Sequence, residues 1–145
     1  MSDDVNGGPS TNFWIIGGAA LIWNLIGLAV YISQVTAGPE AYANYTEAQQ
    51  AFMTGRPAWS TSAFAIAVST GILGSLLLLL RKALAIFMFA ASLLGIVVQQ
   101  VHAFVFANGF EIWGPTGLIL PTTLIVIAVA LLLYSRAAKA KNWLG

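Results

Sequence analysis

Apolar positions dominate the chain in four long blocks, at about 13–35, 60–80, 83–105 and 115–134, and none of the four contains an Asp, Glu, Lys or Arg. A helix needs about 20 apolar residues to cross a hydrocarbon core of about 30 Å. Each block is therefore long enough to span a bilayer. Every formal charge falls between the blocks or beyond them. In lipid that sorting has a direct cause, because a charge at the bilayer centre costs about 3 kcal/mol or more. The pattern predicts an all-α polytopic membrane protein: a four-transmembrane-helix bundle forming a single membrane domain over residues 1–145.

The first block does not read as a signal peptide. The segment before it is acidic, with Asp3 and Asp4, and its apolar run exceeds the roughly 7–15 residues of an h-region. It reads as a retained membrane helix.

Small and polar residues inside the blocks recur at spacings of three and four. They are Gly17, Ala20, Asn24, Gly27, Tyr31 and Gln34 in the first; Ser60, Ala63, Ala67, Thr70 and Gly74 in the second; Ala85, Met88, Ser92, Gly95, Gln99 and His102 in the third. Each set forms one helix stripe suited to close, left-handed packing in a membrane. In the fourth block Gly114, Gly117, Pro121 and Ala128 share a side, and Pro121 is expected to kink the helix.

One connection is long, from Thr36 to Trp59. Gly38-Pro39 ends the first helix, and Pro39 can start another because its missing N–H is not needed in a first turn. Tyr42, Tyr45 and Phe52 then make an apolar stripe, with Gln49 between them. This predicts a short amphipathic helix over 39–52, stopped by Gly55 and Pro57. It should lie across the outer mouth of the bundle with Tyr45 mostly buried.

Charge sets the expected orientation. Arg81, Lys82, Arg136, Lys139 and Lys141 share one side and only Arg56 lies on the other. By the positive-inside rule both termini and the Arg81–Lys82 turn are cytoplasmic. The pair reads as a topology signal, or as a site for anionic lipid. Trp14, Trp59, Trp113, Tyr134 and Trp143 fall near the expected interfaces, where aromatic belts form. The chain is expected in a bacterial inner membrane.

Composition narrows the chemistry. Hydrophobic residues make up 59% and charged residues 8%, with a net charge of +1, so no basic face invites nucleic acid. With no cysteine, disulfides, thiolate metal sites and a cysteine nucleophile are excluded. A single histidine falls short of a bis-histidine haem or a zinc site. The blocks hold no acid, no nucleophile–base pair and no phosphate loop. GPTG at 114–117 is a helix start. No catalytic, cofactor-binding or metal residue is assigned.

What remains is a set of intramembrane polar residues that can contact a ligand: Asn24, Tyr31, Gln34, Thr70, Gln99 and His102. Asn24 and Thr70 fall near the midplane. Gln99, Gln100, Thr122 and Thr123 fall in the outer third, with His102 just above. Asn24 reads either as a substrate or quinone contact or as interhelical glue worth about 0.6–2 kcal/mol. Gln99 and His102, one turn apart, read either as a ligand or proton site or as structural, with His102 bonded to Glu111. Gln99 and Gln100 are about 100° apart on a helix, so one of them should face inward.

WNLIGLAVYISQV at 23–35, PEAYANYTEAQQAF at 39–52, PAWSTSAFAIAV at 57–68 and GILGSLLLLLRK at 71–82 resemble a family of small four-span bacterial inner-membrane proteins often labelled "sugar transporter". The resemblance runs from the first block into the third. It implies the four-span fold and, through the label, a small polar solute. No residue role comes with it.

Two function classes stay open. One is a non-catalytic accessory or scaffold subunit of a larger membrane assembly, with other membrane proteins or its own copies as partners. The other is a transporter for a small polar solute such as a sugar. A cavity joining Asn24, Thr70 and Gln99 would favour transport, and a closed interior would favour the scaffold.

Overall fold

A computed structural model describes residues 8–145. The acidic Asp3–Asp4 segment lies outside the described residues. Helices account for most of the described residues, and four of them are long and apolar enough to cross a membrane: Thr11–Thr36, Ala58–Leu79, Leu84–Phe106 and Pro115–Ala140. The chain is a multi-pass, all-α membrane bundle, as its charge sorting predicts.

In chain order, α1 is Thr11–Thr36, α2 Glu47–Thr54, α3 Ala58–Leu79, α4 Leu84–Val101, α5 Gly109–Trp113 and α6 Ile119–Ala140. Ser10 caps α1, its hydroxyl accepting from the Phe13 N–H. A 3-10 turn at Pro39–Tyr42 follows α1, and another at Pro115–Leu118 leads into α6. Pro121 therefore sits in the first turn of α6. There its missing N–H leaves no helical bond unmade, so the expected kink has no cause.

The α3–α4 hairpin is the centre of the bundle, with α1 packed on α3 and α6 packed on α4. Small residues explain the intimacy of the hairpin. A Cβ on Gly95 would lie 2.7 Å from the Ala63 carbonyl oxygen and 3.0 Å from the Ala67 nitrogen, so the two backbones nearly touch. Beside this contact the Ser92 hydroxyl donates to the Ala67 carbonyl at 2.7 Å. Such bonds between membrane helices are worth about 0.6–2 kcal/mol.

The buried stripe of α3 runs Ser60, Ala63, Ala67, Gly71, Gly74 and Leu78. It departs from the expected one at a single step, with Gly71 inside in place of Thr70. Thr70 donates to the Ile66 carbonyl of its own helix at 2.6 Å, which satisfies the hydroxyl without any partner helix. Asn24 meets α3 at Gly71. Its amide donates to the Ala20 carbonyl at 2.9 Å and to the Ser75 hydroxyl at 3.4 Å, and a Cβ on Gly71 would strike its side-chain oxygen.

The end carrying Arg81, Lys82, Arg136, Lys139 and Lys141, called here the basic end, is sealed. Phe13, Leu78, Ala85, Phe89, Ala138, Trp143 and Leu144 form a buried cluster there. α6 ends on Asn142 in the left-handed region (φ 61°), with Trp143 N–H donating to Ala138 and Asn142 N–H to Lys139, a Schellman closure. That turn sends Trp143 inward against Phe13, ring centroids 5.7 Å apart. Trp143 is therefore core, not belt.

Arg81 makes the matching closure for α3 (φ 60°), with Lys82 N–H on Leu77 and Arg81 N–H on Leu78. Two backbone bonds and one from a side chain then tie the two ends together: Gly145 N–H donates to the Arg81 carbonyl, Ala83 N–H donates to the Gly145 carbonyl, and the Arg81 side-chain Nε donates to the Trp143 carbonyl at 2.8 Å. Arg81 is thus a structural clasp as well as a charge.

Candidate functional site

At the opposite end, called here the mouth end, the bundle is open. α1 packs on α3 and α6 packs on α4, and where α1 and α6 would complete the ring the structure holds a cavity of about 460 Å³. This falls in the range of about 300–1,000 Å³ typical of small-molecule sites.

Its walls come from every membrane helix. α1 contributes Trp23, Ile26, Gly27, Val30 and Gln34; α3 contributes Ser60 and Phe64; α4 and its extension contribute Gln99, Gln100, His102, Ala103 and Phe104; α6 contributes Leu120, Pro121 and Leu124. Phe52, Arg56 and Trp113 stand at the mouth. The lining is graded. Polar groups gather where α3 begins and α4 ends, and the deeper wall of Trp23, Ile26, Gly27 and Leu124 is apolar.

The rim between α1 and α6 is formed by exposed apolar residues, among them Ile26, Val30 and Leu120. Below the cavity lies a crevice of about 20 Å³, between Trp23, Asn24, Ser92 and Leu124. Toward the basic end the buried cluster of Phe13, Leu78, Phe89 and Trp143 fills the bundle, and this packed core is the floor of the cavity.

Local sequence explains how the polar residues converge. α4 widens at its end into a π-helical turn, His102–Phe106, closed by the Ala107 N–H on the His102 carbonyl at 2.9 Å. Such turns displace the following side chains from the regular helical phase. Asn108, left-handed at φ 57°, then turns the chain into α5. His102 is buried, with its ring edge-to-face on Trp59 at 5.3 Å. Glu111 is exposed, and no hydrogen bond joins it to His102 among the described residues, so the expected bond gives way to an aromatic contact. Gln99 and Gln100 both line the cavity, because the cavity wall spans more than one 100° step of the helix.

Arg56 is the group that sequence reasoning treated only as a count. It follows Gly55, the C-cap of α2, and precedes Pro57, the N-cap of α3. Its guanidinium donates to the Gln34 side-chain oxygen on α1 and to the Met53 sulfur. Burial pushes Arg56 below its ordinary value, and the Tyr42 phenol opposes that shift. Arg56, Gln34 and Phe64 also face a second, more polar cavity of about 260 Å³ on the far side. Tyr31 belongs to that second cavity, its ring edge-to-face on Phe64 at 5.4 Å.

Of the sequence candidates, then, Gln34, Gln99 and His102 come together in the main cavity, and Tyr31 lies behind it. Asn24 lies beneath, bonded between α1 and α3, and Thr70 faces away. Arg56, Ser60, Gln100 and Trp23 were missed. The one signal for Arg56 was its isolation as the single cation on its side.

The mouth is bridged as expected, though by a different construction. The 39–52 segment is two pieces, the 3-10 turn and α2, separated by a capping box in which Thr46 and Gln49 exchange side-chain-to-backbone bonds at 3.1 and 3.2 Å. Phe52 and Tyr45 both pack edge-to-face on Trp113, at 5.9 and 5.7 Å. Tyr45 is nonetheless 40% exposed. It lies on top of Trp113, and Phe52 is the residue that faces the cavity.

Among the described residues no group of three His, Cys, Asp or Glu side chains is placed to hold a metal ion. Compared with protein-family models, curated proteins and solved structures, the chain matches none.

Proposed function

We propose that this chain is a non-catalytic accessory subunit of a membrane assembly that carries a small-molecule site at its mouth end. The observation that supports this reading is the blind cavity: it opens between α1 and α6 and stops at Trp23, with the core cluster filling the bundle below. A site that opens toward the bilayer and has no second exit suits binding and association better than passage. On this reading the bundle lies in a bacterial inner membrane with the basic end cytoplasmic, consistent with the five-to-one division of Lys and Arg. Partners are other membrane proteins or further copies of the chain.

The test is native purification from membranes in a mild detergent. A stoichiometric membrane partner, or a stable homo-oligomer, is expected; a monomer with no partner would defeat the accessory reading.

A second reading, transport of a small polar solute such as a sugar, is favoured by the three cavity amides, Gln34, Gln99 and Gln100. Glucose entry into proteoliposomes above protein-free vesicles would establish it and would remove the blind floor from the account.

A further inference from the structure

The Ser60 hydroxyl is anomalous. The residue is 1% exposed, lines the main cavity, and its Oγ has no hydrogen-bond partner. The other buried serines of the spans are satisfied: Ser75 and Ser135 donate to carbonyls of their own helices, and Ser92 donates across to α3. A buried polar group left without a partner is costly, because it has given up its bonds to water and gained none in return. A cavity that keeps one is arranged for a group brought from outside.

Arg56 carries the second half of the argument. A guanidinium stays charged in proteins, yet the partners of Arg56 among the described residues, the Gln34 oxygen and the Met53 sulfur, are both neutral. A half-buried cation with neutral partners favours an oxyanion, which can accept from the guanidinium and from the serine hydroxyl together. The remaining wall requires a different chemistry, because Ile26, Gly27 and Leu124 offer no polar side-chain group and Trp23 adds a large aromatic surface. The lining thus changes from cationic and hydrogen-bonding at the mouth to hydrocarbon-like toward the middle of the bundle, and the exposed rim of Ile26, Val30 and Leu120 opens sideways to the lipid.

We propose that the main cavity binds a single-chain amphiphile with an oxyanion head, a long-chain carboxylate being the simplest case. The head sits at Arg56 and Ser60, and the chain runs down past Trp23 toward Leu124. The chain enters from the bilayer between α1 and α6, and the polar second cavity behind Arg56 hydrates the head. The assignment rests on reading the cavity as a site closed at its floor. Glucose flux would sink that closed floor and leave the binding result standing, whereas a failure of binding removes only the ligand.

The test uses the intact protein in phosphatidylcholine nanodiscs at about pH 9, well above the ordinary carboxylate range. Dibromostearate quenches tryptophan on contact, and Trp23 and Trp113 line the cavity. Saturable quenching is expected, about tenfold tighter than for the methyl ester of the same acid, which keeps the chain and loses the charge. Arg56→Gln should weaken the acid about tenfold and leave the ester unchanged. Val30→Phe, which fills the cavity from α1, keeps Arg56 and adds no tryptophan, should abolish saturable quenching by both, and it serves also if Arg56→Gln does not fold. Non-saturable quenching, equal binding of acid and ester, or undiminished binding by folded Val30→Phe would each overturn the proposal. Tighter, Arg56-dependent binding of a brominated two-chain phosphatidylglycerol would overturn the single-chain assignment.

Discussion

The Arg56 guanidinium reaches across the top of α3 to the side-chain oxygen of Gln34, 22 residues earlier in the chain, and this bond is the wall between the two cavities. It joins the loop between α2 and α3 to the mouth end of α1. A hydrogen bond to a charged group contributes about 1.5–3 kcal/mol in buried settings. A double-mutant cycle with Gln34→Ala and Arg56→Ala, read by reversible unfolding in detergent, should give a coupling of about 1 kcal/mol or more, since the pair is only partly buried. Additive losses would mean the bond carries no stability.

The α3–α4 contact depends on one missing side chain. Gly95→Ala puts a methyl group 2.7 Å from a backbone carbonyl that cannot rotate away, and overpacking of this kind costs about 1–3 kcal/mol. Gly18→Ala meets nothing within 4 Å and should leave the unfolding midpoint unchanged or raised. Equal effects from the two substitutions would contradict the close approach.

Asn24 and Gly71 make a suppressor pair. Gly71→Ala should destabilise the bundle, because the new Cβ meets the Asn24 side-chain oxygen. Asn24→Ala by itself should cost no more than about 1 kcal/mol, since it removes one modest interhelical bond. In the double variant the shorter side chain makes room, so stability should recover most of what Gly71→Ala loses. Simple additivity of the two losses would place the clash elsewhere.

At the basic end Trp143→Ala empties the core between Phe13 and Ala138. A buried Trp-to-Ala change costs about 3–5 kcal/mol, which is a large share of the stability of a small domain. The readout is the unfolding midpoint beside that of Trp59→Ala. Trp59 is 47% exposed, so the second loss should be clearly smaller.

Topology is tested from both ends. A reporter fused after Gly145 should score as cytoplasmic and one inserted at Ala48 as external. At the mouth, cysteines placed at 44, 45 and 48 should label rapidly with an aqueous reagent, because all three positions are exposed, and one at 52 should label slowly. Fast labelling at 52 would show that α2 does not cover the cavity.

Much of this architecture was legible from charge alone. Four spans follow from the exclusion of ionisable groups, and most of the buried stripe of α3 follows from small-residue spacing; α4 buries Ala85, Ser92 and Gly95 of its expected set but Phe89 in place of Met88, and α1 buries only Gly17 and Ala20 of its own. The spacing could not decide between Thr70 and Gly71, which lie side by side on α3. Both fit a three-or-four step, and the choice depends on where α1 crosses. The break in the 39–52 segment was readable, because Thr46 and Gln49 stand at capping-box spacing; the aromatic stripe drew attention from it. Pro121 misled by its place in the apolar block, because only the real start of α6 decides whether a proline is in a first turn or an interior. The cavity itself was not readable. It exists because α1 and α6 fail to meet, and its key groups, Arg56 and Ser60, come from a loop and a helix start whose positions depend on the whole bundle.

The packing of the four spans also divides the molecule mechanically. Gly95 against Ala63 and Ala67 makes α3 and α4 a tight spine, and Phe13, Tyr134 and Trp143 join α1 to α6 at the basic end. The two flanking helices are therefore held differently along their length. At the basic end they share a core with each other; toward the mouth α1 is held to the spine and its loop, through Tyr31 on Phe64 and Gln34 on Arg56. The width of the opening between α1 and α6 is thus set by side chains that lie outside the buried core cluster.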